Sequence, residues 1–254
     1  MPTIKKRRDE KKRYDNVVMR KLNYLIIFIM LCFCTICFGN DSHVFFRDDF
    51  DTIDSWEPLL FPKIKQHSTY TIEKKEAHYY LKAESKASAS GLLLKREFDV
   101  YQYPHIRWRW RIENVYKKGN AKDKSGDDYP IRIYVIFKYE PARAGILEKI
   151  KYNSAKLFYG EYPPHSSLNY IWANRKHTEK VITSPYTERS KMIPLQKGEE
   201  NVGIWHNEKV NILQDYRFAF GEDPPAIASL AIMNDSDNTK EHAVSYVDDI
   251  EIYK

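Results

Sequence analysis

Two aspartates fall in the apolar register of strand-like segments far apart in the chain. In residues 44–50, VFFRDDF, a two-residue period places Asp48 with Val44, Phe46 and Phe50. In residues 244–252 the same period places Asp248 with Val244, Tyr246, Ile250 and Ile252. A carboxylate on an apolar face must be protonated, hydrogen-bonded or bound to a cation. Terminal strands of a sandwich are often neighbours, so the two acids are expected to converge on a hard, oxygen-ligated cation, a structural calcium. The competing account is a bulge that turns each acid outward, or backbone amides that satisfy it. Upstream of the second segment, Asp235, Asp237, Thr239 and Glu241 set an oxygen on every second residue, which adds Asp235 and Asp237 to the candidate ligands. This run departs from an EF-hand, with Lys240 where glycine is required and Tyr246 where the bidentate glutamate belongs. An Asx-rich turn between two strands is the plainer account of it.

A second constellation is cationic and aromatic. Residues 105–113, HIRWRWRIE, alternate strictly: Ile106, Trp108, Trp110 and Ile112 share one face, and Arg107, Arg109, Arg111 and Glu113 the other. With Arg132 on a neighbouring strand, such a ladder would suit an anionic sugar or a phosphate. Cross-strand pairing with Glu97 and Asp99 of an adjacent strand would explain it without a ligand. Loop aromatics such as Tyr101, Tyr103, Tyr129, Tyr162, Tyr186 and Trp205 could stack on sugar rings. The ligand-binding candidates are therefore Arg107, Arg109, Arg132, Trp172 and Trp205. Acid/base chemistry would need a carboxylate pair such as Glu208 and Asp215 brought within reach by the fold. The sequence contains no HExxH, no GxSxG and no glycine-rich phosphate loop.

The elements that must position these residues read mostly as strands. They are expected at 70–74, 78–83, 92–100, 105–113, 131–139, 168–174, 180–184, 226–233 and 244–253. Two stretches break the pattern. Residues 142–159 place apolar side chains at helical spacing and stop at Gly160, a C-cap signal. Residues 207–220 put Val210, Leu213, Arg217 and Phe220 on one stripe before Gly221. The polar loop 114–129 is long enough to suggest a functional segment. The expected fold is mainly β: an antiparallel, jelly-roll-like β-sandwich with two helical insertions, preceded by an N-terminal signal or anchor helix.

Charge and hydropathy assign the first 39 residues a separate role. Of 41 basic and 35 acidic residues, the leader holds nine and three, so the remainder carries 32 of each sign. A neutral domain is not that of a nucleic-acid binder. Residues 24–38, YLIIFIMLCFCTICF, form a 15-residue apolar run behind Arg20 and Lys21, as in a secretory signal, and short for a spanning helix. Cleavage after it, or retention of residues 22–39 as an anchor with a basic tail, both stay open, as does a start at Met19. All three cysteines (Cys32, Cys34, Cys37) lie in this run, so the exported part can have neither a disulfide nor a cysteine nucleophile. Residues 40–254 read as one exported domain, periplasmic or extracellular.

Several strings resemble a bacterial family called domain of unknown function 3047. They are GDDYPIRIYVIF (126–137), NYIWAN (169–174), SPY (184–186), the run 205–239 from WHNEKV to NDSDNT, and YVDDI (246–250). The chain departs from that pattern at Asn234, Val210 and Lys240, where Thr, Arg and Gly are expected. The opening FRDDF and closing YVDDI also resemble the terminal strands of jelly-roll carbohydrate-binding modules. That likeness implies acids holding a structural calcium. The expected function is a non-catalytic binding module for a glycan or cell-envelope polymer, touching a membrane only through its N-terminal segment. A carboxylate-based glycan hydrolase or lyase and a structural envelope protein are the alternatives.

Overall fold

Alternating apolar and polar residues build fourteen strands, and a computed structural model describes them over residues 43–254 apart from 77, 143, 160 and 161. The leader, with its apolar run and its cleavage or anchoring, and the Gly160 cap lie outside the described residues. One sheet has six strands: β1 (Val44–Asp48), β3 (Thr69–Lys75), β4 (His78–Lys86), β7 (His105–Ile112), β12 (His206–Asn211) and β14 (His242–Tyr253). Its order is β12-β7-β14-β4-β3, and β1 pairs with the far end of β14. The other sheet has eight: β2 (Trp56–Leu59), β5 (Ala89–Leu94), β6 (Phe98–Asp99), β8 (Arg132–Phe137), β9 (Ser166–Ala173), β10 (Ile182–Thr183), β11 (Ser190–Lys197) and β13 (Ile227–Asp235). Its order is β10-β11-β9-β8-β13-β5-β2, with β6 beside β13. Two helices, α1 (Ile146–Tyr159) and α2 (Ile212–Phe220), complete the main elements of the unit Val44–Lys254. Among the described residues no helix is long and apolar enough to cross a membrane.

The sheets bury their inward faces against each other. Trp108 and Trp110 from β7 meet Tyr170 and Trp172 from β9 at ring separations of 5.7 and 6.0 Å. A second, smaller core of Ala121, Tyr129, Ile171, Ala173, Ile182 and Met192 lies under the polar loop 114–129. That loop is pinned rather than loose. Asn174 accepts from the Tyr116 amide at 2.8 Å and donates to the Asp128 carbonyl at 2.6 Å. Gly119 lies so close to Asn174 that an added Cβ would sit 2.1 Å from its Nδ2.

Three expectations are corrected. The sheets are not wholly antiparallel, because β11 runs parallel to β9. Residues 206–211 are an edge strand, and the helix begins only at Ile212, where Asn211 accepts from the Gln214 amide at 3.0 Å as N-cap. Finally, β14 does not hold one register. Its ladder shifts between Asp248 and Glu251, with Asp249 at φ 50°. Before the shift Ser245 and Val247 face the core, opposite Ile112 and Trp110; after it Ile250 and Ile252 do. Asp248 consequently leaves the apolar face and stands with the arginines.

Candidate functional site

The outward face of the six-stranded sheet carries the arginine ladder. Because β7 lies between β12 and β14, each arginine meets residues of both neighbours. One row across four strands reads Arg47, Glu251, Arg107, Lys209, and the next reads Asp248, Arg109, Asn207. Arg107 donates to Glu251 at 2.8 Å, and this bond raises its already high affinity for the proton. Arg109 pairs with Asp248 and lies 3.1 Å from Asp249. Burial pushes the Asp248 carboxyl up, and the Arg109 bond opposes it. Arg107 and Arg109 thus take their acids from β14, and Arg111 pairs with Glu113 at 2.8 Å; none pairs with the expected Glu97 or Asp99. Glu97 instead pairs with Lys138 at 2.9 Å, and Asp99 accepts from the Tyr101 amide at 2.8 Å.

Aromatic faces complete this surface. The Trp205 ring lies 5.0 Å from the Arg109 guanidinium and 5.9 Å from that of Arg111, beside Tyr246 and Tyr80. Arg107 and Lys209 flank the Tyr253 ring at 5.4 and 5.6 Å. Between them runs an open groove of about 420 Å³, lined among others by Arg47, Arg107, Asn207, Lys209, Asp249 and Glu251. Arg47, Lys209 and Asn207 were not singled out from the sequence, because only the pairing of β1 and β12 beside β14 and β7 reveals their row. Glu208 also lines the groove, and accepts from Trp110 Nε1 at 3.1 Å and Gln196 at 2.8 Å. Asp215 accepts from the Tyr170 hydroxyl at 2.9 Å.

The other two candidates lie elsewhere. Trp172 is fully buried between the sheets, its indole N–H donated to the Gly198 carbonyl at 3.1 Å. Arg132 is buried on the eight-stranded sheet, ion-paired with Asp235 and stacked near Tyr129 and Tyr134 at 4.9 and 5.1 Å. Around this pair gather Asp127, Asp128 and Asp237. Asp127 accepts from the Tyr129 hydroxyl at 2.8 Å. Asp128 accepts from the Asn238 amide at 3.2 Å and the Thr239 amide at 2.5 Å. Tyr186 reaches Asn238 at 3.2 Å. The GDDY, NYIWAN, SPY and NDSDNT strings therefore meet at one place. Lys240, where the sequence pattern expects glycine, adopts φ 61°, the left-handed region that glycine takes at least cost.

Asp48 and Asp248 do not converge, since they lie on opposite faces of the sheet; Asp48 instead groups with Asp49 and Asp51, their carboxylate oxygens within 4.8 Å of one another. Asp48 accepts from the Phe50 amide and the Trp56 indole, each at 2.8 Å, and burial raises its pKa. Asp248 belongs to Arg109, on the opposite face from the expected one. Carboxylate oxygens of Asp128, Asp235 and Asp237 do lie within 4.8 Å of one another. Yet Asp235 already accepts from Arg132 and the Tyr129 amide, and Asp128 from a turn. Within this cluster Arg132 supplies a protein cation, paired with Asp235.

The cluster makes a prediction about pH. Burial raises the carboxyls of Asp127, Asp235 and Asp237; for Asp235 the pull of Arg132 opposes this, and neighbouring acids reinforce it. Unfolded aspartate titrates near 3.9. The folded state therefore binds these protons more tightly, and stability falls as pH rises from that value through the folded ones. The melting temperature at about pH 5 is expected to exceed that at about pH 8, with a smaller difference in Asp237→Asn. The ring of His177, pushed down by burial, acts in the opposite sense below about 6.5, so the comparison with the variant isolates the acids. A wild-type melting temperature that does not depend on Asp237 across this range contradicts the assignment.

The model of a family described as "Protein of unknown function (DUF3047)" matches residues 54–251. The chain belongs to that family. No curated protein matches it. Among solved structures, it is similar to the carbohydrate-binding module CtCBM11, with TM-score 0.39 and 11% identity over 85% of this chain and 97% of that one. It is also similar to the CBM22-1–CBM22-2 tandem domain of Paenibacillus barcinonensis Xyn10C, with TM-score 0.32 and 14% identity over 83% of this chain and 50% of that one. A third is the family GH12 endoglucanase 3 of Trichoderma harzianum, with TM-score 0.37 and 6% identity over 78% and 96% of the two chains.

Proposed function

We propose that the protein is a non-catalytic binding module for a glycan or cell-envelope polymer, built as a jelly-roll-type sandwich and acting outside the cytoplasm. The reading rests on one observation. The open groove of about 420 Å³ presents guanidinium, ammonium, amide and carboxylate groups in rows, with the faces of Trp205 and Tyr253 nearby. Alternating donors and acceptors beside aromatic faces suit a ligand dense in hydroxyl groups. The rows lie on a flat sheet face rather than in a closed cavity, so an extended chain can lie across the strands.

The test is titration of the protein with neutral and acidic polysaccharides. Arg107→Ala and Trp205→Ala are each expected to weaken binding about 30-fold, the effect of losing roughly 2 kcal/mol at an interface centre. No binding by any polymer, or binding unchanged in both variants, removes the proposal. The groove also holds Asp249 and Glu251, which is the one observation favouring a hydrolase or lyase. New reducing ends or unsaturated products that disappear in Asp249→Asn would establish that reading instead.

A further inference from the structure

We propose that α1 is a membrane-surface element, whose exposed apolar turn rests on an anionic phospholipid bilayer. The helix interrupts the path from β8 to β9, and among its described side chains Tyr152 and Asn153 fasten it. Tyr152 is buried, its ring stacked on Tyr139 at 3.7 Å, and its hydroxyl reaches the Pro164 carbonyl at 3.3 Å. Tyr162 holds Asn153 at 2.8 Å and lies under Lys156 at 4.5 Å. The first turn points the other way. Ile146, Leu147 and Ile150 are 79, 84 and 59% exposed, and the first two are the most exposed large apolar side chains among the described residues. The helical period gathers all three into one patch, roughly opposite Tyr152.

Charge selects the occupant. Segment 146–159 carries three lysines and one glutamate. Lys149 and Lys156, seven residues apart and both exposed, share the flank between the apolar patch and Tyr152, Lys156 lying over Tyr162. A helix with an apolar face edged by lysines lies in the headgroup region of an anionic bilayer, its apolar side chains reaching the acyl boundary. At about 1.5 Å per residue its fourteen residues span roughly 21 Å, too short to cross a hydrocarbon core of about 30 Å. A second copy packed by a two-fold axis on the same patch would bring like-charged lysine flanks together. A glycan would leave the patch wet. The surface is separate from the groove on the six-stranded sheet, so the two proposals stand or fall independently.

The experiment uses the full chain with Leu147→Cys as its single cysteine, the leader's Cys32, Cys34 and Cys37 being changed to serine. An environment-sensitive nitrobenzoxadiazole label at position 147 reads the surroundings of α1 whether or not the leader holds the chain on the vesicle. Phosphatidylglycerol-containing vesicles should shift its emission to the blue and allow quenching by spin-labelled lipid; phosphatidylcholine vesicles should do neither. Lys149→Gln with Lys156→Gln should weaken the effect roughly 30-fold, each lysine near an anionic surface being worth a factor of about five. Unshifted emission in anionic vesicles overturns the proposal, as does an equal response to both lipids. A blue shift that grows with protein concentration and is not quenched by lipid overturns it in favour of a second copy.

Discussion

Arg132→Met is expected to destabilise the domain by about 3–5 kcal/mol, the cost of leaving the other half of a buried ion pair without its partner. Methionine keeps much of the side-chain length, so packing changes little and the charge is what is lost. Asp235 is fully buried and surrounded by Asp127, Asp128 and Asp237. Without the guanidinium, Asp235 faces three further carboxylates and loses the cation that offsets its burial. The loss should be smaller at about pH 5 than at about pH 8, because protonation of Asp235 removes the uncompensated charge. Urea unfolding at the two pH values provides the measurement. A loss below about 1 kcal/mol at both would mean that water or a bound ion already neutralises the acids.

Trp172→Ala is expected to cost about 3–5 kcal/mol as well, by a different route: a large buried side chain leaves a cavity and an unpaired Gly198 carbonyl. For a domain of this size, each kcal/mol lowers the melting temperature by about 2–4 °C, so the fall should be on the order of 10 °C. Trp205→Ala, at a partly exposed site on the sheet face, should lower the melting temperature far less while weakening ligand binding. The two tryptophans thereby separate a role in the core from a role at the surface. If Trp172→Ala weakens binding without loss of stability, the indole is not the core element its burial indicates.

Much of the strand content was legible, because one-sided burial writes a two-residue period that survives in HIRWRWRI and IRIYVIF. Strand β11 was missed for a physical reason. Pro194 has no N–H to give to a ladder, and the sheet accommodates it with a register shift between Pro194 and Gln196. Strand β12 was hidden behind the helical stripe of α2, and Asn211 was the overlooked stop signal between them. The site was legible only as residue types. The alternation put Arg107 and Arg109 on an outward face, but no local pattern announces that β1 and β12 supply Arg47 and Lys209 to the same row. The register of Asp248 failed because a bulge is one residue long, and a period read from sequence runs straight through it. Asp128 went unnoticed for the converse reason: it sits in a loop with no period at all.

The central position of β14 has a consequence for the order of events in the cell. This strand is the last in the chain, yet it joins β7 to β4 and β1, whose residues lie more than 100 positions earlier. The six-stranded sheet cannot close until its final twelve residues are available. A sheet completed by such distant pairings forms slowly, and fragments lacking the closing strand expose unpaired edges. Until β14 is in place, β7, β4 and β1 lack the neighbour they share, and the outward row of Arg107, Glu251 and Arg47 cannot form. Changes that disrupt residues 242–253 should cost the whole six-stranded sheet, not its margin.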